Sequence, residues 1–349
     1  MNIFDLINAK EVATYYTGTQ SEKIAPLGAT LFPAKKQLGL DLSWIKGSRG
    51  LPVALKPAAF DTKTPLRDRI GVDKLETEMP FFKEGTLVKE KDRQELNKVL
   101  MSGNQAIIEP VISKIFDDTV ALVDGADVQP ERMIMQLLST GKIAVSAEGV
   151  DYNYDYLLDT ANQTEALAGN AKWSDTTNSN PLADIKKWQD NRESTTGTRP
   201  TRAICTFKTW NYLLLNAKIK LDMNVQNGQN IILTDNMLKQ YLVAKLSLSV
   251  AVYDKKFKDE AGATKNYFPD EVFTLLPAGN MGNTYYGTTP EESDLMTGAS
   301  DADVQIVNTG VAITTIKQSD PVNVLTKVTE IVLPSFERID EIFIATVHS

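Results

Sequence analysis

The segment from Pro110 to Thr140, "PVISKIFDDTVALVDGADVQPERMIMQLLST", constrains the fold of this chain more than any other. Val111, Ile112, Ile115, Phe116, Val120 and Val123 fall on one broad face at helical spacing, and Met133, Ile134, Leu137 and Leu138 continue it. A continuous helix of this length spans on the order of 45 Å at about 1.5 Å per residue. Gly125 and Pro130 lie in its middle. Because Pro130 removes a backbone donor, a kink or a break is expected there. Gly141 follows as a C-cap.

A second segment pulls the other way. "IKGSRGLPVALKPAAFDTKTPLRDR", Ile45 to Arg69, has almost no helical or strand periodicity and is broken by Gly47, Gly50, Pro52, Pro57 and Pro65. Lys46, Arg49, Lys56, Lys63, Arg67 and Arg69 against Asp61 and Asp68 make it +4, in a chain of net charge -8, so the other residues sum to -12. It cannot bury a face of its own. Long excursions of this kind are either disordered or held by a partner. A nucleic-acid patch fits it less well, because aromatic groups for stacking are nearly absent.

Around these two segments the chain alternates in type. "MNIFDLINAKEVATYY" suits a short amphipathic helix, and Leu38, Leu40, Leu42 and Trp44 alternate as in a strand. "IGVDKLETEMPFFKEGTLV" is extended, "KEKDRQELNKVL" a charged helix, and "GKIAVSAEGVDYNYDYLL" hairpin-like. "AGNAKWSDTTNSNP" reads as a linker. Pro181 then opens a helix with Asn180 as its N-cap. "TRAICTF", "LSVAVYD" and "EVFTLLP" are strands, "KTWNYLLLNAKIKL" and "TDNMLKQYLVAKL" helices, the latter capped by Thr234 or Asp235. "KKFKDEAGATKNYFPD" is a turn-rich hairpin tip, and the Gly-rich acidic run from Ala278 to Gln305 is an interruption. The β-branched end closes the fold. The layout is α+β, with first and last parts pairing and a second unit inserted at about residues 181–310.

Composition removes several functions. A length of 349 residues with 42% hydrophobic residues allows two compact domains or one elaborate one. A pI near 5.0 argues against a whole-surface grip on duplex nucleic acid. The N-terminus lacks the pattern of a secretion signal, and no apolar run approaches the roughly 18 residues of a membrane span, so a soluble protein made in a reducing cytoplasm is expected. The single cysteine, Cys205, reads as a buried small hydrophobe, and Trp173, Trp188 and Trp210 as packing anchors.

The only histidine, His348, lies one residue from the end, where fraying is expected, so a His-based triad or a His-ligated zinc site is poorly placed. In "LLSTGKIAV" a phosphate-binding loop would need Gly where Gln136 stands and Ser or Thr where Ile143 stands. "AGNMGN" lacks the spacing of a dinucleotide site. Glu291, Glu292, Asp294, Asp301 and Asp303 are expected to be solvated, with a cation site as the minority reading, and no spacing matches a calcium loop. Paired-carboxylate catalysis stays open, but nothing selects a pair. No catalytic, metal-binding or cofactor-binding residue is assigned, and no enzyme activity is expected.

The order of segments carries more than any motif. The basic Ile45 to Arg69 stretch, "MQLLSTGKIAV", "KWSD" with "NPLADI", "KTWNYLLLNAKIKLD", and "KNYFPDEVFTLLP" leading into "GNTYYG" together resemble the major capsid proteins of tailed bacteriophages, the family typified by the phage lambda major head protein (family E). The resemblance covers most of the chain. It implies the Hong Kong 97-type capsid fold: an N-terminal arm (1–44), an extended E-loop (45–85), a peripheral domain with a long spine helix (86–180, closed by strands in 311–349) and an axial domain (181–310). It further implies a structural, self-assembling protein of an icosahedral virion, built as hexamers and pentamers around double-stranded DNA that it does not read. Subunit contacts would run through Lys46, Arg49, Lys56, Lys63, Arg67 and Arg69.

Partners implied are other copies of the chain, a separate scaffolding protein (no long domain precedes the arm), a portal protein and, in some shells, a decoration protein, with no membrane and assembly in the host bacterial cytoplasm. Two alternatives stand beside this reading. One is an encapsulin-like nanocompartment shell; the other is a carboxylate-dependent hydrolase using the Glu291 loop and His348.

Overall fold

The computed structural model describes residues 8–20, 25–46, 73–101, 105–147, 149–224, 226, 231–298, 302–320 and 322–348. In chain order, helices α1 (Ala9–Gln20) and α2 (Leu27–Leu31) precede strands β1 (Ala34–Lys36), β2 (Asp41–Lys46), β3 (Asp73–Glu78) and β4 (Phe81–Val88). Helices α3 (Glu90–Met101) and α4 (Gln105–Thr140) follow, then β5 (Lys142–Ala147), β6 (Val150–Asp155) and β7 (Thr164–Ala166). Next come α5 (Pro181–Thr196), β8 (Arg202–Cys205), α6 (Phe207–Leu215), α7 (Ala217–Met223) and α8 (Asp235–Leu246). Strands β9 (Ser249–Val252), β10 (Lys256–Lys258), β11 (Thr264–Asn266), β12 (Val272–Leu276) and β13 (Thr284–Tyr286) lead to α9 (Pro290–Thr297). The chain closes with β14 (Asp303–Val307), β15 (Val311–Ser319), β16 (Val322–Pro334) and β17 (Phe343–Thr346).

The 36-residue α4 runs without a break through both Pro110 and Pro130, so of the kink or break expected at Pro130 the break does not occur. An internal proline costs about 3 kcal/mol. Pro130 is itself buried, and buried Val123, Ala126, Met133 and Ile134 flank it, so tertiary packing outweighs the missing donor. The helix ends as the sequence suggests: Gly141 takes φ +71° and its N–H returns to Leu137 O at 2.9 Å.

Two units carry the contacts of the chain: Met1–Ser43, Glu76–Met133 and Asn283–Ser335 form one, and Trp44–Leu75, Ile134–Gly282 and Phe336–Ser349 the other. These divisions differ from a simple insertion at 181–310. Residues 283–310 join the first unit because β13 pairs β16 and β14 pairs β15.

In the first unit the 13-residue β16 is central. It pairs β15 on one side and, in succession, β4 and β13 on the other; β1 extends the sheet beyond β13 and β14 beyond β15. Helix α1 lies on β14 and β15, burying Ala9, Val12 and Tyr16 at helical spacing. Tyr16 donates its hydroxyl to Asp127 of α4 at 2.6 Å, and the Asn308 amide donates to the same carboxylate at 3.0 Å. Asn308 sits at φ +50° in the β14–β15 turn, a conformation asparagine tolerates. Glu131, also on α4, accepts the Gly28 N–H of α2 at 2.9 Å.

The second unit holds a five-stranded sheet in the order β7-β17-β12-β8-β9, parallel at β7–β17 and β8–β9 and antiparallel between. Its core joins Trp173, Trp188, Trp210, Leu238, Leu242 and Phe273. The three tryptophans are thus the packing anchors expected, each fully buried. Each indole N–H meets a carboxylate: Trp173 that of Asp184, Trp188 that of Glu165 and Trp210 that of Asp235. Cys205 is fully buried in β8, and burial pushes its thiol pKa up.

The single helix expected from Lys208 to Leu221 is two. Asn216 ends α6 and caps α7, its side chain accepting from Lys218 N at 3.0 Å and Ile219 N at 3.1 Å. The N-caps expected at Asn180 and at Thr234 form, accepting from Ala183 N and Met237 N.

Candidate subunit-contact site

The basic stretch is rooted on paired strands. β2 pairs β3, and the Met79 N–H donates to Leu40 O at 2.9 Å where the two arms close. Of the four alternating residues, Leu42 and Trp44 are buried, while Leu38 and Leu40 stay exposed because the strand begins only after the Gly39 turn at φ +85°. The Trp44 ring lies 5.2 Å from that of Tyr156. The expected contact residues fall at and beyond this root. Lys46 ends β2; Arg49, Lys56, Lys63, Arg67 and Arg69 lie outside the described residues.

The acidic run after Ala278 is more ordered than an interrupting loop. It contains β13 and α9, whose N-cap Thr289 accepts from Glu292 N and whose first residue is Pro290. Glu291 and Glu292 are not solvated. Glu291 bridges Lys327 and Thr329 of β16, and Glu292 pairs with Lys36 at 2.5 Å. Burial alone would raise the Glu291 pKa, but the hydrogen bonds from Lys327 and Thr329 hold it below the usual carboxylate value.

His348 is not frayed either. It is 4% exposed, its Nε2 lies 2.9 Å from Thr209 Oγ1, and its ring meets Tyr212 edge-on at 4.9 Å. Burial lowers its pKa. The neighbouring Val347 N–H donates to Glu271 O at 2.8 Å, just ahead of β12. Glu291 belongs to the first unit and His348 to the second, and each is committed to its own structural partners. Among the described residues no group of three or more His, Cys, Asp or Glu is placed to hold a metal ion, and no helix is long and apolar enough to cross a membrane.

A sheet built on one long strand, a helix of 36 residues, a second α+β unit and a root of two paired strands make up a mixed helix-and-sheet fold of the Hong Kong 97 type. The chain belongs to the phage major capsid protein E family, whose profile matches residues 17–347. The fold is shared with a chain assigned as the capsid protein of a prophage of E. coli CFT073, at 17% identity and TM-score 0.60 over 98% of this chain and 99% of that one. It is also shared with a phage-related protein from Bordetella bronchiseptica RB50, at 12% identity and TM-score 0.55 over 97% of each chain. No curated protein matches the sequence at a significant level. The protein is therefore a structural major capsid protein of the tailed-phage type, a component of the virion whose shell is built from copies of itself.

Proposed function

We propose that this chain assembles as hexamers and pentamers into an icosahedral head that encloses double-stranded DNA without binding it sequence-specifically. In this reading residues 1–44 are the arm, 45–85 the E-loop, 86–180 with the closing strands of 311–349 the peripheral part, and 181–310 the axial part. The protein has no catalytic role. Assembly takes place in the host bacterial cytoplasm with a scaffolding protein and a portal protein, and a decoration protein in shells that carry one.

The observation that carries the assembly role is the +4 stretch from Ile45 to Arg69 in a family member of net charge -8, rooted on paired β2 and β3. Its cations would meet carboxylates of a neighbouring copy. Exposed ion pairs contribute only about 0–1 kcal/mol each, which lets misplaced subunits leave. Many such contacts in a closed lattice add up through multivalency.

Negative-stain electron microscopy of the purified protein with its scaffold should show closed shells. Charge reversal at Arg67 and Arg69 should abolish them while circular dichroism and thermal unfolding of the subunit stay unchanged. Normal shells from that double variant would remove the role assigned to the loop.

A further inference from the structure

Glu330 lies in the middle of β16 and is 1% exposed, and among the described residues neither of its carboxyl oxygens has a hydrogen-bond partner. On the same strand Lys327 and Thr329 turn to Glu291 of α9, so alternation sends Glu330 to the opposite face, with Val328 and Val332. Phe82 of β4 and Tyr286 of β13, the latter paired with Val332, share that face.

The charged and titratable groups turned toward it can be named element by element. Helix α4 supplies Asp127, whose charge acts on both Glu330 and Tyr286. Behind Asp127 stands Tyr16 of α1, which donates to it, as does Asn308. β13 supplies Tyr286. From β1, Lys36 Nζ comes close to Gly310, as does Tyr286, but it is already held by Glu292 and the Gly287 carbonyl. β4 places Phe82 opposite Glu330 and, on the same face, Glu84 opposite Val328, and among the described residues no cation hydrogen-bonds Glu330.

A fully buried carboxyl thus feels the charge of a half-buried one on α4, and their situations are unequal. Asp127 accepts two hydrogen bonds that stabilise its anion; Glu330 has none and would add a like charge in a water-poor space. We propose that Glu330 is a proton-loaded latch, which lets α4 sit on the sheet of the first unit while the carboxyl is neutral and loosens that packing when it ionises as pH rises. Burial, and then the Asp127 charge, raise its pKa in support. The unfolded chain releases this proton near the ordinary glutamate value of about 4.3, and the folded chain keeps it. Folding stability therefore falls as pH rises from there until the folded carboxyl titrates, by up to about tenfold in the folding constant per pH unit.

The test uses the full-length protein and Glu330→Gln, whose side chain copies the neutral form. Infrared difference spectra at about pH 7 should show a carboxylic-acid C=O band in the wild type that Glu330→Gln lacks and that bleaches as pH rises. Unfolding midpoints from about pH 6 to about pH 10 should fall more steeply in the wild type than in Glu330→Gln. An ionised Glu330 at neutral pH, superimposable pH profiles, or a Glu330→Gln chain that cannot fold would each overturn the proposal.

Discussion

Replacing Trp188 by Phe tests whether the second unit is held by its carboxylate-anchored tryptophans. The indole is 1% exposed and lies among three aromatic rings: Phe343 at 5.4 Å, Trp173 at 5.9 Å and Phe273 at 6.5 Å between centroids. Its Nε1–H donates to Glu165 Oε2 at 2.6 Å, and the same carboxylate takes Lys187 at 2.7 Å. A phenyl ring keeps part of the stacking and loses the donor. A hydrogen bond to a charged acceptor contributes about 1.5–3 kcal/mol; Lys187 and solvent still serve Glu165, so the lower end applies. The smaller ring leaves a void worth about 1 kcal/mol more.

The expected loss is about 2–3 kcal/mol, which in a unit of this size lowers the unfolding midpoint by about 5–10 °C. Differential scanning calorimetry of the unassembled subunit reads it directly. A double-mutant cycle with Glu165→Gln should return a coupling of at least about 1 kcal/mol. If Trp188→Phe melts within about 1 °C of the wild type, the indole–carboxylate bond has no part in the stability of this core.

Other perturbations follow from the same geometry. His348 is held neutral by burial, so its folded pKa lies below the unfolded value of about 6.5; stability should be complete above that pH and fall as pH drops toward the folded value. Unfolding midpoints across that window should lose this acid-side slope in His348→Gln. Asn216→Ala removes the cap of α7 and the bond to Ser179 Oγ at 3.0 Å, and should cost about 2 kcal/mol in denaturant unfolding. At Gly141 the φ of +71° and the approach of Leu158 Cβ, 2.8 Å from where a new Cβ would stand, should make Gly141→Ala destabilising by about 2 kcal/mol or more in the same assay, against a near-neutral Gly18→Ala, where nothing lies within 4 Å.

Local physics explains what was legible in advance. Helix α4 announced itself through ten apolar residues at one spacing, and its end through a glycine placed where only a positive φ closes the last turn. Asn180, Thr234 and Pro181 mark helix starts because their side-chain oxygens or fixed φ act within three residues of themselves. The hairpins β5–β6 and β10–β11 were likewise set by alternation and turn residues. The resemblance to shell subunits rested instead on particular segments, from the basic stretch to "GNTYYG", taken in their order, and the family match confirms it.

What failed were judgements that depend on distant partners. Pro130 stays inside a helix because buried neighbours outweigh one lost bond, which no local pattern reveals. Glu291 looked solvated in "TTPEESD" until β16, 36 residues away, brought Lys327 to it. His348 looked frayed until Thr209 and Tyr212 closed over it. Glu330 carried a usable signal, a lone carboxylate inside the β-branched run "VTEIVLP".

The sequence by itself determined the long helix, most strands and the basic stretch, since each is written in spacing, capping residues and local charge, and the order of its segments carried the resemblance to shell subunits. Only the tertiary structure decided which carboxylates are paired, which is left alone beside Asp127, and how β16 shares its edges among β15, β4 and β13. Burial and pairing are properties of residues far apart in the chain, and they exist only once the sheet has brought those residues together.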